Sequence, residues 1–273
     1  VQQSNESTSN SKKNKPPLMS GRGLPLIMAV LSLFLIWEIA AYIWNKPYIL
    51  PTVEATFVYM WKQLQTPEFV KALSASSFRL VVGYPAACFI GAALGLLAGL
   101  SKGFKSYLRS LIAILQAIPP IVWVPFFTII LGYGHLPIII VILIASFFPM
   151  ALSVMNATES VNKTHLELAM VMGANRRQLL TKVFTPETLP AVITGAQVSF
   201  GNAWRSLVSS EMVTGAAIGL GFNISSASEI ANMKGVLMGI VVIGGIAVFL
   251  DLVVLEWIKR KVLRYRYVTG GNP

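Results

Sequence analysis

Charge is scarce in this chain. Asp, Glu, Lys and Arg make up 12% of its 273 residues, and its mean hydropathy is +0.66. A soluble domain carries about twice that share of charge, so an ordinary water-soluble fold is excluded and lipid exposure is implied. Cysteine is almost absent. Cys88 has no partner anywhere in the chain, which excludes an intrachain disulfide, and its apolar surroundings argue against redox chemistry. The two histidines, His135 and His165, fall on opposite sides of any workable topology, which argues against a His-based metal site. The dipeptide Gly-Lys does not occur. A phosphate-cradling loop of the form Gly-x-x-x-x-Gly-Lys-[Ser/Thr] is therefore missing, and ATP cannot be bound by that device. No cluster of His, Asp and Glu and no Ser–His arrangement is present, so no catalytic residue is assigned. The net charge of +11 could suggest nucleic acid. No basic stretch alternates with aromatics on a polar background, which speaks against it.

What the chain has is long apolar runs. A spanning helix needs about 20 mostly apolar residues, and six segments qualify: Leu24–Trp44, Leu80–Leu100, Leu108–Leu131, Leu136–Met155, Leu189–Val213 and Val236–Ile258. The first is too long for a signal-peptide core and ends in no small-residue cleavage site. The third contains Pro119, Pro120 and Pro125 and is expected to be kinked or broken. The fold class that follows is all-α, a polytopic membrane protein with six transmembrane helices. Lys and Arg are retained on the cytosolic side. With the N-terminus inside, 16 of the 22 basic residues lie inside, five lie outside or near it, and Arg205 lies within a span. The expected organisation is a mobile cytosolic tail over 1–23, a six-span domain over 24–263 and a cytosolic tail over 264–273. Between the first two spans, Val58, Trp61, Leu64 and Gln65 suggest a short amphipathic helix along the membrane surface. Gly83, Ala87, Gly91, Gly95 and Gly99 form a small-residue column that lets helices approach closely, either inside one subunit or at a dimer seam.

The longest inside loop, about 156–188, is built to be rigid. His165–Met172 can form a helix that Gly173 stops. Asn175 can cap a second helix, with Gln178 as its capping-box partner. Leu179, Leu180 and Val183 give that helix an apolar face; Arg176, Arg177 and Lys182 give it a basic one. Pro186 is expected to end it. A helix–turn–helix held at the cytosolic surface is a docking element.

Glu167-Leu168-Ala169, then Gly173, then Val183-Phe184-Thr185-Pro186 resembles the Glu-Ala-Ala loop of the permeases of ATP-binding-cassette (ABC) importers. Glu167, Ala169, Gly173 and Pro186 stand at the family spacing; Leu168 and Thr185 depart from it. From about Trp37 onward the chain is most similar to the nitrate/sulfonate/taurine/bicarbonate group of these permeases. The phrases that carry this are Trp37-Glu38, Leu50-Pro51-Thr52, Ser77-Phe78-Arg79 with Gly83, Ile118-Pro119-Pro120 with Trp123 and Pro125, and Trp204 with Glu211-Met212 and Gly219-Leu220-Gly221. The resemblance implies a type I importer permease fold in the cell membrane, with both termini cytosolic. It implies that Glu167, Ala169, Gly173, Arg176 and Pro186 couple the chain to an ATPase. Expected partners are a second copy of the permease, two ABC ATPase subunits that bind ATP and Mg, an extracytoplasmic solute-binding protein and membrane lipid. No cofactor is expected in this chain.

Ionisable residues inside spans are costly and default to functional hypotheses. Asn202, Arg205 and Ser209 share one helix face, and Trp204 and Glu211 share another; Glu211 is counted with Asn202, Arg205 and Ser209 among the candidate residues of the translocation path. Arg205 either lines the path with Asn202 and Ser209 or is tied up in an interhelical salt bridge, for which Glu211 of an opposing subunit or Glu38 could serve; six residues apart on one helix, Arg205 and Glu211 of the same copy face different directions. Pro119, Pro120 and Trp123 either line or gate the path, as broken transporter helices do, or are kinks and packing. Glu38 and Asp251 read as structural, and His135 as solvated and idle. The expected function is to form the path for a small solute, of which a small anion such as nitrate, bicarbonate, a sulfonate or taurine fits the group resemblance. An aromatic carboxylate and a neutral pyrimidine-like solute stay open. A secondary transporter is the competing class; few carboxylates in the spans and no visible internal repeat count against it.

Overall fold

The computed structural model describes residues 23–161, 163–215 and 218–262, which among themselves form helices and connecting turns with no strand. The two tails expected at 1–23 and 264–273 lie almost wholly outside the described residues. The chain divides into two units at Val53 and Glu54.

The first unit holds α1 (Gly23–Trp44), the first expected span. Its end is tied by two long-range bonds. Trp37 Nε1 donates to the Pro51 carbonyl at 2.9 Å, and Glu38 Oε2 accepts from the Val53 backbone N–H at 2.9 Å. A carboxylate on the first N–H of a helix satisfies an orphan donor and favours the dipole. Glu38 is therefore structural, as expected, with its carboxylate engaged at this helix start.

The second unit begins one residue into α2 (Val53–Leu64), the expected amphipathic helix, and continues with α3 (Pro67–Leu100) and α4 (Lys102–Gln116). A 3₁₀ turn over Pro120–Val122 leads to α5 (Trp123–Leu131). Next are α6 (His135–Glu159), α7 (Lys163–Val171) and the single turn α8 (Arg176–Gln178). A π-helical turn over Leu179–Phe184 runs into α9 (Thr185–Val213). After α10 (Leu220–Glu229), α11 (Met233–Phe249) passes through a second π turn, Leu250–Leu255, into α12 (Glu256–Val262). Asp251 is exposed on that turn.

Among the described residues four helices are long and apolar enough to cross a membrane, and five if the bent pair Lys102–Gln116 with Pro120–Leu131 counts as one broken span. The fifth expected span lies in α9. It is 29 residues long but carries Gln197, Asn202, Arg205, Glu211 and several serines, which lower its hydropathy. The second expected span begins earlier than the sequence suggests, because α3 has 34 residues. That is about 51 Å of helix against a hydrocarbon core of about 30 Å.

Helix α6, apolar on all sides, is the most buried candidate span, with 61% of its most apolar window inside the protein. An all-apolar helix is stable only when neighbours cover it; here α3 and α9 pack against it. The column of small residues on α3 is what allows the close approach. A Cβ at Gly83 would stand 3.0 Å from Ile142 Cγ2, at Gly91 3.0 Å from Met150 Cβ, and at Gly95 2.7 Å from the Ala151 carbonyl oxygen. The column is thus a packing seam inside one subunit. Phe69, Leu80, Ile138, Ile142, Phe200, Trp204 and Leu207 form the core beside it.

Candidate functional site

The loop singled out in the sequence is held by short-range bonds. Gly173 has φ +82°, a conformation that glycine adopts without a Cβ clash. The Ala174 N–H donates to the Ala169 carbonyl and the Gly173 N–H to the Met170 carbonyl, at 3.0 and 2.9 Å. Those two bonds are a Schellman motif, with Ala169 supplying the carbonyl that receives the outer bond. One residue later, Asn175 Oδ1 accepts from the Gln178 N–H and Gln178 Oε1 from the Asn175 N–H, both at 2.9 Å. This is a reciprocal capping box, on the two residues the sequence suggested. His165 Nδ1 contacts Glu187 Oε1 and links α7 to the start of α9.

Pro186 departs from expectation. It does not end the second helix. It sits in the first turn of α9, and the chain stays helical from Arg176 to Val213. A proline is tolerated where its missing N–H and its clash with the carbonyl four residues back are relieved. The π turn immediately before it shifts that register. Glu167 is exposed, Ala169 and Pro186 are half-buried, and the Arg176 side chain lies outside the described residues. Leu168, Met170, Val171 and Met172 crown the turn, and the last two are 86% and 79% exposed. A contiguous apolar tip of this kind marks an interaction surface. Glu159 at the end of α6 pairs with Lys105 and with Arg109 on α4, the latter at 3.4 Å.

Helix α9 has two unlike faces. Ser199, Ala203, Trp204, Ser206, Leu207, Ser210 and Glu211 are buried. On the other face Arg205 is exposed and Asn202 and Ser209 are half-buried. Arg205 Nη2 donates to Asn202 Oδ1 at 2.7 Å, and Ser209 Oγ donates to the Arg205 carbonyl at 2.7 Å. Among the described residues no carboxylate pairs with Arg205.

Glu211 is 0% exposed and pairs with Arg79 at 2.6 Å, although Arg79 reads from the sequence as lying outside or near the membrane boundary. Arg79 is only 2% exposed. The carboxylate has three donors. Besides Arg79 Nη1 it accepts from Ser76 Oγ at 2.7 Å and from the Gly221 N–H at 2.9 Å, and Ser76 Oγ accepts in turn from the Leu220 N–H at 2.9 Å. Such additional hydrogen bonds are what make a buried ion pair tolerable. A Cβ at Gly219 would come 2.6 Å from Glu211 Cδ, so that position has no room for a larger residue. His135 is not idle. Its Nδ1 accepts from Arg79 Nε at 3.2 Å.

The break between α4 and α5 is sharper than a kink, at 73°. Pro119 stands at φ −56°, ψ 133°, an extended conformation in which the chain leaves helical geometry. Trp123 opens α5 and packs on Phe126 and Phe127. Pro119 is exposed, Pro120 and Trp123 half-buried.

Ser76, Arg79, Glu159 and Glu187 carry polar contacts that sequence reading missed. The one available signal was that Arg79 and Glu211 are opposite charges bordering apolar runs. Nothing in the linear pattern pairs residues 132 positions apart.

Residues 91–264 match the family described as binding-protein-dependent transport system inner membrane component. The chain is 32% identical over 244 residues to an ABC transporter permease protein of Methanocaldococcus jannaschii, covering 88% of this chain and 90% of the relative. It is 35% identical to the taurine transport system permease protein of Escherichia coli, over 66% of this chain and 65% of that one. Against the aliphatic sulfonates transport permease protein of Bacillus subtilis the identity is 29%, over 80% and 78%. In fold it resembles an inward-facing MetNI methionine ABC transporter chain, with a TM-score of 0.57 at 18% identity, covering 74% of this chain and 98% of the other.

Proposed function

The chain belongs to the family of binding-protein-dependent transport system inner membrane components, and on that premise we propose that it forms the translocation path of an ATP-driven importer for a small anion. Two copies would enclose the path between them, with two ATPases inside, where ATP and Mg are bound, and a solute-binding protein outside. Residues 24–263 form the permease domain, and both termini face the cytosol of a cell whose plasma membrane the protein spans.

The observation that carries the anion reading is the open face of α9. Arg205 stands there without a carboxylate partner among the described residues, flanked by Asn202 and Ser209. A guanidinium in a membrane span needs a negative counterpart, and it offers oxyanions a planar fork of donors. Relatives named for taurine, sulfonate, bicarbonate and nitrate transport all handle a small oxyanion group. One positive charge per copy among neutral donors suits transient binding. Pro119, Pro120 and Trp123 lie at the broken helix and join the path or its gate in this reading. Glu211 serves from the other face of α9, through its hold on Arg79, and does not touch the solute.

The test is Arg205→Gln in proteoliposomes with the binding protein and ATPases present. Uptake is expected to fall by about tenfold or more, the worth of one charge-assisted hydrogen bond, with assembly and basal ATP hydrolysis intact. Normal uptake, or a neutral ligand on the binding protein, would overturn the anion reading.

A further inference from the structure

Beyond the α9 face lies a second cationic feature. At the N-terminal ends of α3 and α6 there is an open cavity of about 720 Å³, lined among others by Lys71, Ser74, Phe78, Arg79, Tyr133 and His135. Two cations and an imidazole face it, and none of its lining residues is a carboxylate. Glu211 neutralises Arg79 from behind, within the protein, and among the described residues Lys71 has no carboxylate paired with it. In the orientation proposed above, this end of the helices faces the outer solution.

The chemistry of His135 follows from its neighbour. Arg79 is held by Glu211 through Nη1 at 2.6 Å, and its Nε donates to His135 Nδ1 at 3.2 Å. An arginine N–H can only donate, so Nδ1 must carry the lone pair and the neutral ring must carry its proton on Nε2. The ring is also braced edge-on by Phe78, with centroids 5.5 Å apart and planes at 86°. His135 is exposed and lines the cavity, so the ring nitrogen that Arg79 does not engage is left as its N–H donor. The buried pair thus acts at a distance: it sets the tautomer of a residue that solvent can reach.

We propose that this outer vestibule binds small oxyanions, with the Lys71 ammonium and the His135 Nε2–H as its donors and Arg79 as the residue that positions His135. The proposal rests on the reading of the chain as an anion permease and adds a receiving site upstream of Arg205. An ammonium and a neutral N–H together favour a small charged oxygen cluster over a neutral solute, because the ammonium leaves water only for a charge of opposite sign. The site is shallow and open, which suits an anion that must move on.

The measurement is saturation-transfer NMR on the methyl protons of methanesulfonate, with the full chain in lipid nanodiscs, binding protein absent and empty nanodiscs as blank. Transfer to methanesulfonate, displaced by sodium nitrate, is expected. Lys71→Gln removes the ammonium, and His135→Asn keeps an acceptor for Arg79 while deleting the Nε2 donor. Each is expected to weaken the apparent dissociation constant by about tenfold, one charge-assisted or well-placed hydrogen bond. Both residues are exposed, so folding is expected to survive, checked by the thermal unfolding midpoint. No transfer to the wild type, or equal transfer with both variants, would overturn the site. Arg205→Gln separates the two readings. If it abolishes transfer and Lys71→Gln does not, the anion sits in the path and the vestibule is wrong. If Lys71→Gln weakens transfer while Arg205→Gln imports normally, the vestibule stands and the path assignment fails.

Discussion

Glu211 shows what one buried carboxylate is worth in this fold. Fully enclosed and bonded to Arg79, Ser76 and the Gly221 N–H, it joins α3 to both sides of the α9–α10 turn. Removing one member of such a pair leaves an uncompensated charge and costs about 3–5 kcal/mol. Arg79→Met is therefore expected to lower the thermal unfolding midpoint sharply in nanodiscs. The double variant Arg79→Met/Glu211→Leu is expected to recover much of that loss, since a well-packed apolar pair of similar volume can replace a buried ion pair. A double variant no better than the single would show that the carboxylate matters for something besides Arg79. None of this was legible along the chain. The helical period told that Trp204 and Glu211 share a face, and both are indeed buried. Which residue answers Glu211 depends on how α3 is docked, and that has no local signal.

Among the elements, the α7–α8 turn and the α3–α6 seam differ in how openly the sequence displays them. The turn is made of neighbours: a glycine at φ +82°, a Schellman pair and a capping box, each closed within about six residues. Those interactions are written in residue order, which is why the residues alone spell out a helix, a stop and a capped helix. Gly173→Val places a β-branched residue at positive φ, which is strongly disfavoured. The variant is expected to reach the membrane yet to lose co-purification with an ATPase partner or solute-stimulated ATP hydrolysis; unimpaired transport would remove the loop from the coupling role that the family resemblance implies. Pro186 marks the limit of such local reading. A proline rule that holds for a regular α-helix missed a π turn, because a π turn depends on how the flanking helices are anchored. The α3 column was equally visible, but its partner was not. Gly95→Leu is expected to push α3 off α6 and to cost about 1–3 kcal/mol of stability, read as a fall in the unfolding midpoint. Gly103→Ala, with nothing within 4 Å of the added Cβ, is expected to be silent.

At the scale of the whole molecule, topology is the property to measure. In the orientation proposed from the basic residues, the α7–α8 loop lies inside and α2 outside. On a Cys88→Ala background, a cysteine at Gln178 is expected to react with impermeant maleimide only after the membrane is opened, and one at Lys62 in intact cells stripped of any outer barrier. Reaction at Gln178 from outside would invert the assignment and with it the vestibule. By itself the sequence determined the class of molecule, since scarce charge and long apolar runs admit little but a helical membrane protein. It also determined the loop, because capping and turn chemistry act between near neighbours. Only the tertiary structure decided that the glycine column closes on α6 within one subunit, that Arg79 answers Glu211, and that His135 accepts from Arg79. Those three are contacts between helices far apart in the chain. Burial makes them energetically decisive, and helical periodicity names the face of each helix without naming the partner it meets.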